Sequence, residues 1–367
     1  MNGAILIPHT TSKLLELQKI MVTLVSTVFN DRTGLKNLFG AMEDQTLPPD
    51  EIVIVDAGSN DGTWELLQEE QNRRDRPWKM VAICQPICNV ARGRNLAIEA
   101  ARGEIIVSTD IGCDWDAEWL EELVRPLESN PAIGLVIGSW LVKKGDLHGQ
   151  WAMVEWAMKG DQRLEATAKS YSSSRSIAYR KTCWEALGRY PEDLTFAGDD
   201  ALFHFLIEKA EVPRVGAPKV RCYWHRHSTL QGFLKESYRY GIGAGEAGVF
   251  LKDAVLVGAR MGFEVVCLAS ALILLPIYPI VGLVAILLGL ASLALRLKAL
   301  MPAARRLKAE GVCFPLAKVF VFIYLNKLHW IRGVIHGWLA GAKKCEVARS
   351  RIGSLSPELY RKRIGKI

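Results

Sequence analysis

Between residues 22 and 127 short apolar runs alternate with longer amphipathic ones, and that alternation leaves few folds open. Val22–Val28, Glu51–Asp56, Lys79–Cys84 and Glu104–Thr109 read as strands, the first apolar enough to be covered on both faces. Gly34–Met42, Gly62–Arg74 and Val90–Ala101 read as helices between them, and Asp116–Leu127 as a helix after the last. Strands alternating with helices of about ten residues predict a parallel sheet joined by right-handed crossovers. Ligands of such sheets bind beyond the C-terminal strand ends. Polar residues collect there: Asn30, then Asp56-Ala-Gly-Ser-Asn-Asp61, then Asp110.

Beyond residue 140 the pattern is mixed. Ser172–Tyr179 reads as turn and short strand, Lys181–Leu187 and Asp199–Ala210 as helices, Val220–Trp224 as a short strand and Leu230–Tyr240 as a helix. This reads as the second half of one domain over residues 21–250, behind an N-terminal extension of residues 1–20. Residues 251–300 contain a nearly uncharged stretch, Phe263–Leu295, broken by Pro276 and Pro279. Its two pieces fall short of two full spans of about 20 residues. A transmembrane hairpin therefore has to borrow flanking residues, and the other option is a re-entrant hairpin. Residues 301–342 carry apolar residues at helical spacing with Lys318, His329, Arg332 and His336 opposite, as in an amphipathic interfacial helix or a third membrane helix. Residues 343–367 read as a basic, loosely ordered tail.

Charge sharpens this division. From Arg296 to Ile367 there are 16 Lys and Arg against 3 Asp and Glu, a net +13. The whole chain is +7, so residues 1–295 are net −6. An acidic body with a basic end suits attachment to anionic membrane lipids. It argues against nucleic acid, whose binders carry basic and aromatic residues on the folded domain. The eight cysteines form no Cys-x-x-Cys pair, which excludes zinc-ribbon and thioredoxin chemistry and suits a reducing compartment. Met1–Ile20 has no signal-peptide pattern. The expected location is the cell membrane, with the catalytic domain on the cytoplasmic side. No Gly-x-Gly-x-x-Gly follows Val22–Val28, which excludes a dinucleotide dehydrogenase. A soluble nucleotidyltransferase would not need residues 263–295.

Taken singly, each polar cluster allows two roles. Asp56 through Thr63 serves either a nucleotide or an Asx-Gly turn. Asp110 caps a turn or faces a hard cation on phosphate oxygens. Asp199-Asp200, after Gly198, forms a helix cap or supplies a general base. His225-Arg226-His227 is a metal site, a phosphate contact or an exposed loop. Arg239, near a helix end, complements the dipole or neutralises a diphosphate.

Their order is more specific than any one of them. Val25-Ser-Thr-Val-Phe29-Asn30, Gln45-Thr46, Ile54-Val-Asp56 through Thr63 and Ala91-Arg-Gly-Arg94-Asn95-Leu-Ala97 come first. Gly103-Glu-Ile-Ile-Val-Ser-Thr-Asp110, Trp119-Leu120, Ser173-Ser-Arg175 through Trp184, and Gly188-Arg-Tyr-Pro191-Glu192 follow. Asp199-Asp200 and Glu236-x-x-Arg239-Tyr240 complete the set. Over about 60% of the chain this series resembles the family-2 glycosyltransferases of the GT-A fold, an α/β, Rossmann-like nucleotide-sugar-binding domain, here with a membrane-associated helical region after it.

The resemblance implies an inverting enzyme that moves a sugar from a nucleotide-sugar donor to a hydroxyl of a lipid-linked or polysaccharide acceptor at the membrane. It implies that Thr27, Asn30, Asp56 and Arg94 hold the nucleotide, and that Asp110 meets the ribose or a divalent cation, Mn²⁺ or Mg²⁺. Asp200 would be the base, and Asp199 would orient the acceptor or cap the helix. Arg239, Tyr240 and Arg226 would meet diphosphate or acceptor, and His225 or His227 would join Asp110 at the cation. Three departures stand out. Gly112 replaces the second carboxylate of Asp-x-Asp, which weakens metal binding, while Glu236 replaces Gln and Tyr240 replaces Trp, which favour single-sugar transfer over processive synthesis. The other reading is a catalytically inactive membrane scaffold that retains the GT-A fold.

Overall fold

The computed structural model describes residues 20–142, 150–159, 166–195, 197–311 and 316–367. The N-terminal extension, apart from Ile20, lies outside them. Four parallel strands, β1 (Val22–Val28), β2 (Glu51–Asp56), β3 (Lys79–Cys84) and β4 (Ile105–Ser108), alternate with α1 (Arg32–Glu43), α2 (Thr63–Asn72) and α3 (Val90–Ala100). Val28 lies opposite Asp56, and Asp56 opposite Cys84, so these strands end level. Successive residues serve opposite faces, as strand geometry requires. Val25, Val53 and Val55 pack towards α3, whereas Leu24, Ile52 and Ile54 join a cluster with Leu35, Phe39, Trp119 and Leu123. Burial on both faces is why these runs are almost continuously apolar.

The second half departs from an all-parallel sheet. It comprises β5 (Cys113–Trp115), α4 (Trp119–Ser129), β6 (Leu135–Val142), α5 (Gln150–Lys159), β7 (Ile177–Arg180), α6 (Lys181–Leu187), α7 (Asp199–Lys209), β8 (Arg214–Trp224) and α8 (Leu230–Ala247). Among the described residues the sheet runs β3-β2-β1-β4-β7-β6-β8-β5. β7 is antiparallel to β4 and β6, β8 is parallel to β6, and β5 is antiparallel to β8. β5 and β6 are absent from the sequence pattern. In β6 the reason is local: Gly138-Ser139 interrupts the apolar run where the register with β8 shifts.

Three long helices follow: α9 (Leu251–Leu274), α10 (Pro279–Ala309) and α11 (Leu316–Lys344). α9 and α10 are long and apolar enough to cross a membrane, and most of their side chains are exposed. They extend the apolar stretch at both ends, to 24 and 31 residues. Glu264 accepts from Ser292 Oγ (2.7 Å) and Arg296 Nε (2.7 Å) and from Tyr324 Oη, which ties α9, α10 and α11 together at one level. Below it, Leu300, Ala303 and Leu307 of α10 pack with Ala152 and Val154 of α5 and with Val319 and Phe322 of α11. Above it the chain carries no charge from Val265 to Leu295. Within the turn, Ile277 and Tyr278 donate to the Leu274 carbonyl (3.1 and 2.6 Å), and Gly282 donates to that of Tyr278 (3.0 Å).

The C-terminal region differs from its expected form. α11 buries Val319, Phe322, Gly333, Val334 and Gly337, not the seam of Val321, Leu328, Ile335 and Trp338, which stays exposed. Glycines make the difference: a hydrophobic pattern does not score them, yet they permit close approach. A Cβ on Gly241 of α8 would lie 2.2 Å from the Trp330 carbonyl oxygen, and one on Gly337 would lie 2.1 Å from that of Ile242. The basic tail forms α12 (Glu346–Ser354) and α13 (Pro357–Ile364), packed on the domain through Ala348, Leu355 and Tyr360. Arg363 Nη1 donates to the Ala186 carbonyl at 2.9 Å and Arg351 Nη1 to that of Arg189 at 2.7 Å. These cations satisfy the C-terminal end of α6, where positive charge is favoured.

Candidate active site

Asp199 and Asp200 open α7, where acidic residues suit the helix dipole. Gly198 precedes them at φ +98°, and a Cβ there would lie 2.9 Å from the Gly243 carbonyl carbon of α8. Only glycine combines that dihedral with that approach, which sets the start of α7 against α8. From α3, buried Arg94 donates to Asp199 and, at 2.8 Å, to Asp110 just beyond β4. The other Asp110 oxygen lies 3.3 Å from Nε of Arg175. Arg175 donates through Nη2 to Tyr240 Oη at 3.2 Å, and its guanidinium lies 3.6 Å from the centre of the Trp224 ring.

Charge in this cluster is finely opposed. Burial, reinforced by Asp199, pushes the Asp200 carboxyl up to about 6, against the pull of Arg175 and Arg94. Burial disfavours the charge on Arg94, but Asp199 and Asp110 outweigh it and hold the guanidinium charged. Burial also raises the Tyr171 and Tyr240 hydroxyls, with Asp200 adding to both. Asp200 is therefore a carboxylate of raised proton affinity, the property a general base needs near neutral pH.

Two cavities meet at this residue. The polar one is lined by Thr27, Arg94, Asp110, Gly112 and Asp199 among others, and the aromatic one by Trp140, Tyr171, Trp224, Phe250 and Trp330. They share Arg175, Gly198, Asp200 and Tyr240. A third hollow adjoins the polar side and is lined by Thr27, His227, Lys235, Glu236, Arg239 and Tyr240.

The expected residues are thus brought together only in part. Thr27, Arg94, Asp110, Asp199, Asp200 and Tyr240 converge, and Arg239 lines the adjoining hollow. Asp56 is fully buried and accepts from Ser59 N at 3.0 Å, while Asn30 donates to Ser59 Oγ and accepts from Asn60 N, both at 2.8 Å. These two residues lace the loops after β1 and β2 together. Arg226 is also placed differently. It is gripped by Glu155 (2.5 and 2.7 Å) and Glu236 (2.9 and 2.6 Å) and stacks 3.6 Å from Trp224, so it fastens α5 to α8 instead of facing diphosphate. Arg175, Trp140, Tyr171 and Trp224 carry no role in the sequence reading. The available signal was that Arg175 stands inside the Ser173–Trp184 match.

The cation site expected from Asp110, His225 and His227 is not assembled. His225 Nε2 lies 3.1 Å from Asp114, His227 Nε2 lies 3.6 Å from Glu236, and both Asp110 oxygens face arginines. Among the described residues no group of three His, Cys, Asp or Glu side chains is placed to hold a metal. A Cβ on Gly112 would meet open space within 4 Å. Among the described residues the protein's own donors therefore do not fit a resident cation.

Residues 23–185 match the family model described as glycosyl transferase family 2. The chain is similar to glycosyltransferase AglE of Haloferax volcanii, at 27% identity over 48% of this chain and 58% of that protein. It is similar to the poly-β-1,6-N-acetyl-D-glucosamine synthase of Staphylococcus epidermidis, at 21% identity over 63% and 56%. It thus spans little more than half the length of these relatives. Among solved structures it resembles the mannosyltransferase PcManGT of Pyrobaculum calidifontis, solved with GDP-Man and Mn²⁺, at TM-score 0.51 and 20% identity over 87% of both chains. The strands, loops and strand-end residues of residues 23–185 thus match the glycosyl transferase family 2 model, on a sheet that resembles the GT-A type.

Proposed function

We propose that this protein transfers a sugar from a nucleotide-sugar donor to a hydroxyl of a lipid-linked or glycan acceptor at a membrane, with inversion. The observation that carries the reading is the junction of a polar and an aromatic cavity at Asp200. Donor nucleotide and diphosphate occupy the polar side, among Thr27, Arg94 and Asp110, with Arg239 and Lys235 adding positive charge from α8. The acceptor enters from the aromatic side, and Asp200 takes its proton as the hydroxyl attacks the anomeric carbon and the diphosphate departs. Arg175, at the junction, faces the charge that develops on the leaving group. A divalent cation, Mn²⁺ or Mg²⁺, enters this reading only as a companion of the donor diphosphate. The scaffold alternative does not account for a half-buried carboxylate of raised proton affinity at the junction.

Thermal shift of detergent-solubilised protein against a panel of nucleotide sugars tests the donor half, since a ligand of the native state raises the midpoint. Release of nucleoside diphosphate with acceptor present tests transfer. A panel that neither shifts the midpoint nor yields diphosphate sinks the proposal.

For the membrane we infer a re-entrant hairpin. Counted from the Glu264 tie, α9 continues for about 11 residues and α10 returns over about 14, or roughly 16 and 21 Å at 1.5 Å per residue. That reaches past the middle of a hydrocarbon core of about 30 Å without crossing it. An uncharged turn in which Ile277, Tyr278 and Gly282 donate internally and two prolines have no N–H supports burial of that turn in lipid. Arg296, Lys298, Arg305 and Arg306 at its base favour the cytoplasmic face.

A further inference from the structure

Resting on the junction as the place of transfer, we propose that the aromatic cavity takes a neutral sugar ring, and that a lipid phosphate is not the nucleophile. The cavity is about 270 Å³. That is just below the roughly 300–1,000 Å³ of small-molecule sites, so it admits about one ring beside Asp200. Not all of its walls are free to stack. Trp224 lies between Arg175 and Arg226, each 3.6 Å from its ring centre, and Trp140 meets it edge-on at 5.6 Å. Tyr171, Tyr240 and Trp330 are only partly covered, and they come from three separate segments around the cavity. Apolar C–H faces of a pyranose pack on such rings, while its hydroxyls find the tyrosine hydroxyls and Asp200.

Charge separates the two kinds of acceptor. Among the described residues the lining contains one cation, Arg175, shared between Asp110 and Tyr240, and one carboxylate, Asp200. A phosphate nucleophile would add negative charge beside the half-buried Asp200 carboxylate, with no further cation in the lining to offset its desolvation. A hydroxyl needs only a proton acceptor, and the burial that raises the Asp200 carboxyl suits that task.

The test uses full-length protein in a detergent without a sugar headgroup. Tryptophan fluorescence follows methyl hexosides and, separately, geranyl phosphate, while thermal shift follows nucleotide sugars. A methyl hexoside should bind, and Trp330→Leu and Tyr171→Leu should each weaken it about tenfold or more while the nucleotide-sugar shift stays unchanged. Two variants on different segments guard against one that does not fold. The proposal is overturned if no methyl hexoside binds, if both variants bind it as the parent does, or if geranyl phosphate displaces it. Sugar binding without any nucleotide-sugar shift supports the cavity assignment and counts against the transfer reading, so the two can fail separately.

Discussion

Asp200 carries the heaviest chemical assignment in the molecule, and its consequences are measurable. A positioned base contributes about 10²–10⁴-fold, so Asp200→Asn should lower turnover by that order with donor binding retained. Turnover should rise with pH through an inflection near 6, as the carboxyl loses its proton. Asp199→Asn removes a neighbouring negative charge and should move that inflection lower. The sign for stability is opposite. The folded carboxyl is raised from 3.8 to about 6, so folding retains a proton the unfolded chain releases, and stability falls as pH rises across that window. A melting curve without that fall, or one equally steep in Asp200→Asn, contradicts the assignment. Gly112 offers a second residue-scale test, because its missing side chain would point into open space. Gly112→Asp should raise the affinity for Mn²⁺ alone by about tenfold, worth roughly 1.4 kcal/mol. Equal binding by parent and variant in a calorimeter would show that Asp110 and position 112 do not share a cation.

At the scale of elements, legibility followed periodicity. β1, β2, β4 and α1 to α3 were readable because each buries apolar residues at regular spacing, and β3, at the sheet edge, because its half-buried residues alternate between the same two clusters. β6 was not, because Gly138-Ser139 breaks its run at a bulge, and β5 has three residues. Asp200 and Asp110 were readable as motif letters, whereas Arg175 gains its role only from long-range contacts with Asp110, Tyr240 and Trp224. The α8–α11 contact was hidden for another reason: its determinants are glycines, which periodicity does not score. Gly241→Ala should force the two backbones apart and cost about 1–3 kcal/mol, seen as a lower unfolding midpoint. An unchanged midpoint would mean the helices already sit loosely.

For the whole molecule, the prediction concerns lipid. The protein should stay with membranes through a high-salt wash, since apolar burial is not screened, and leave them in detergent. A cysteine placed at Ile277 should escape a membrane-impermeant maleimide from either side of the membrane, measured against the same protein without it. Labelling from the far side would mean that the hairpin crosses, and release by salt alone would mean that it is not inserted. The basic tail, read from composition as a loose lipid-binding end, spends part of its charge on carbonyls at the end of α6.

The glycine contact between α8 and α11 has a consequence for product length. α8 carries Tyr240 at the junction, and α11 shares the Glu264 tie at the root of the hairpin through Tyr324. With glycines bringing the two backbones together, and the hairpin inserted as proposed, the helices would act as a ruler that holds Asp200 at one altitude over the bilayer. A lipid-borne acceptor presents its hydroxyl at that altitude once. After one addition the new terminal hydroxyl stands a sugar's length too high, so mass spectrometry of the lipid product should show a single added residue, and a ladder of products would show that the ruler slides.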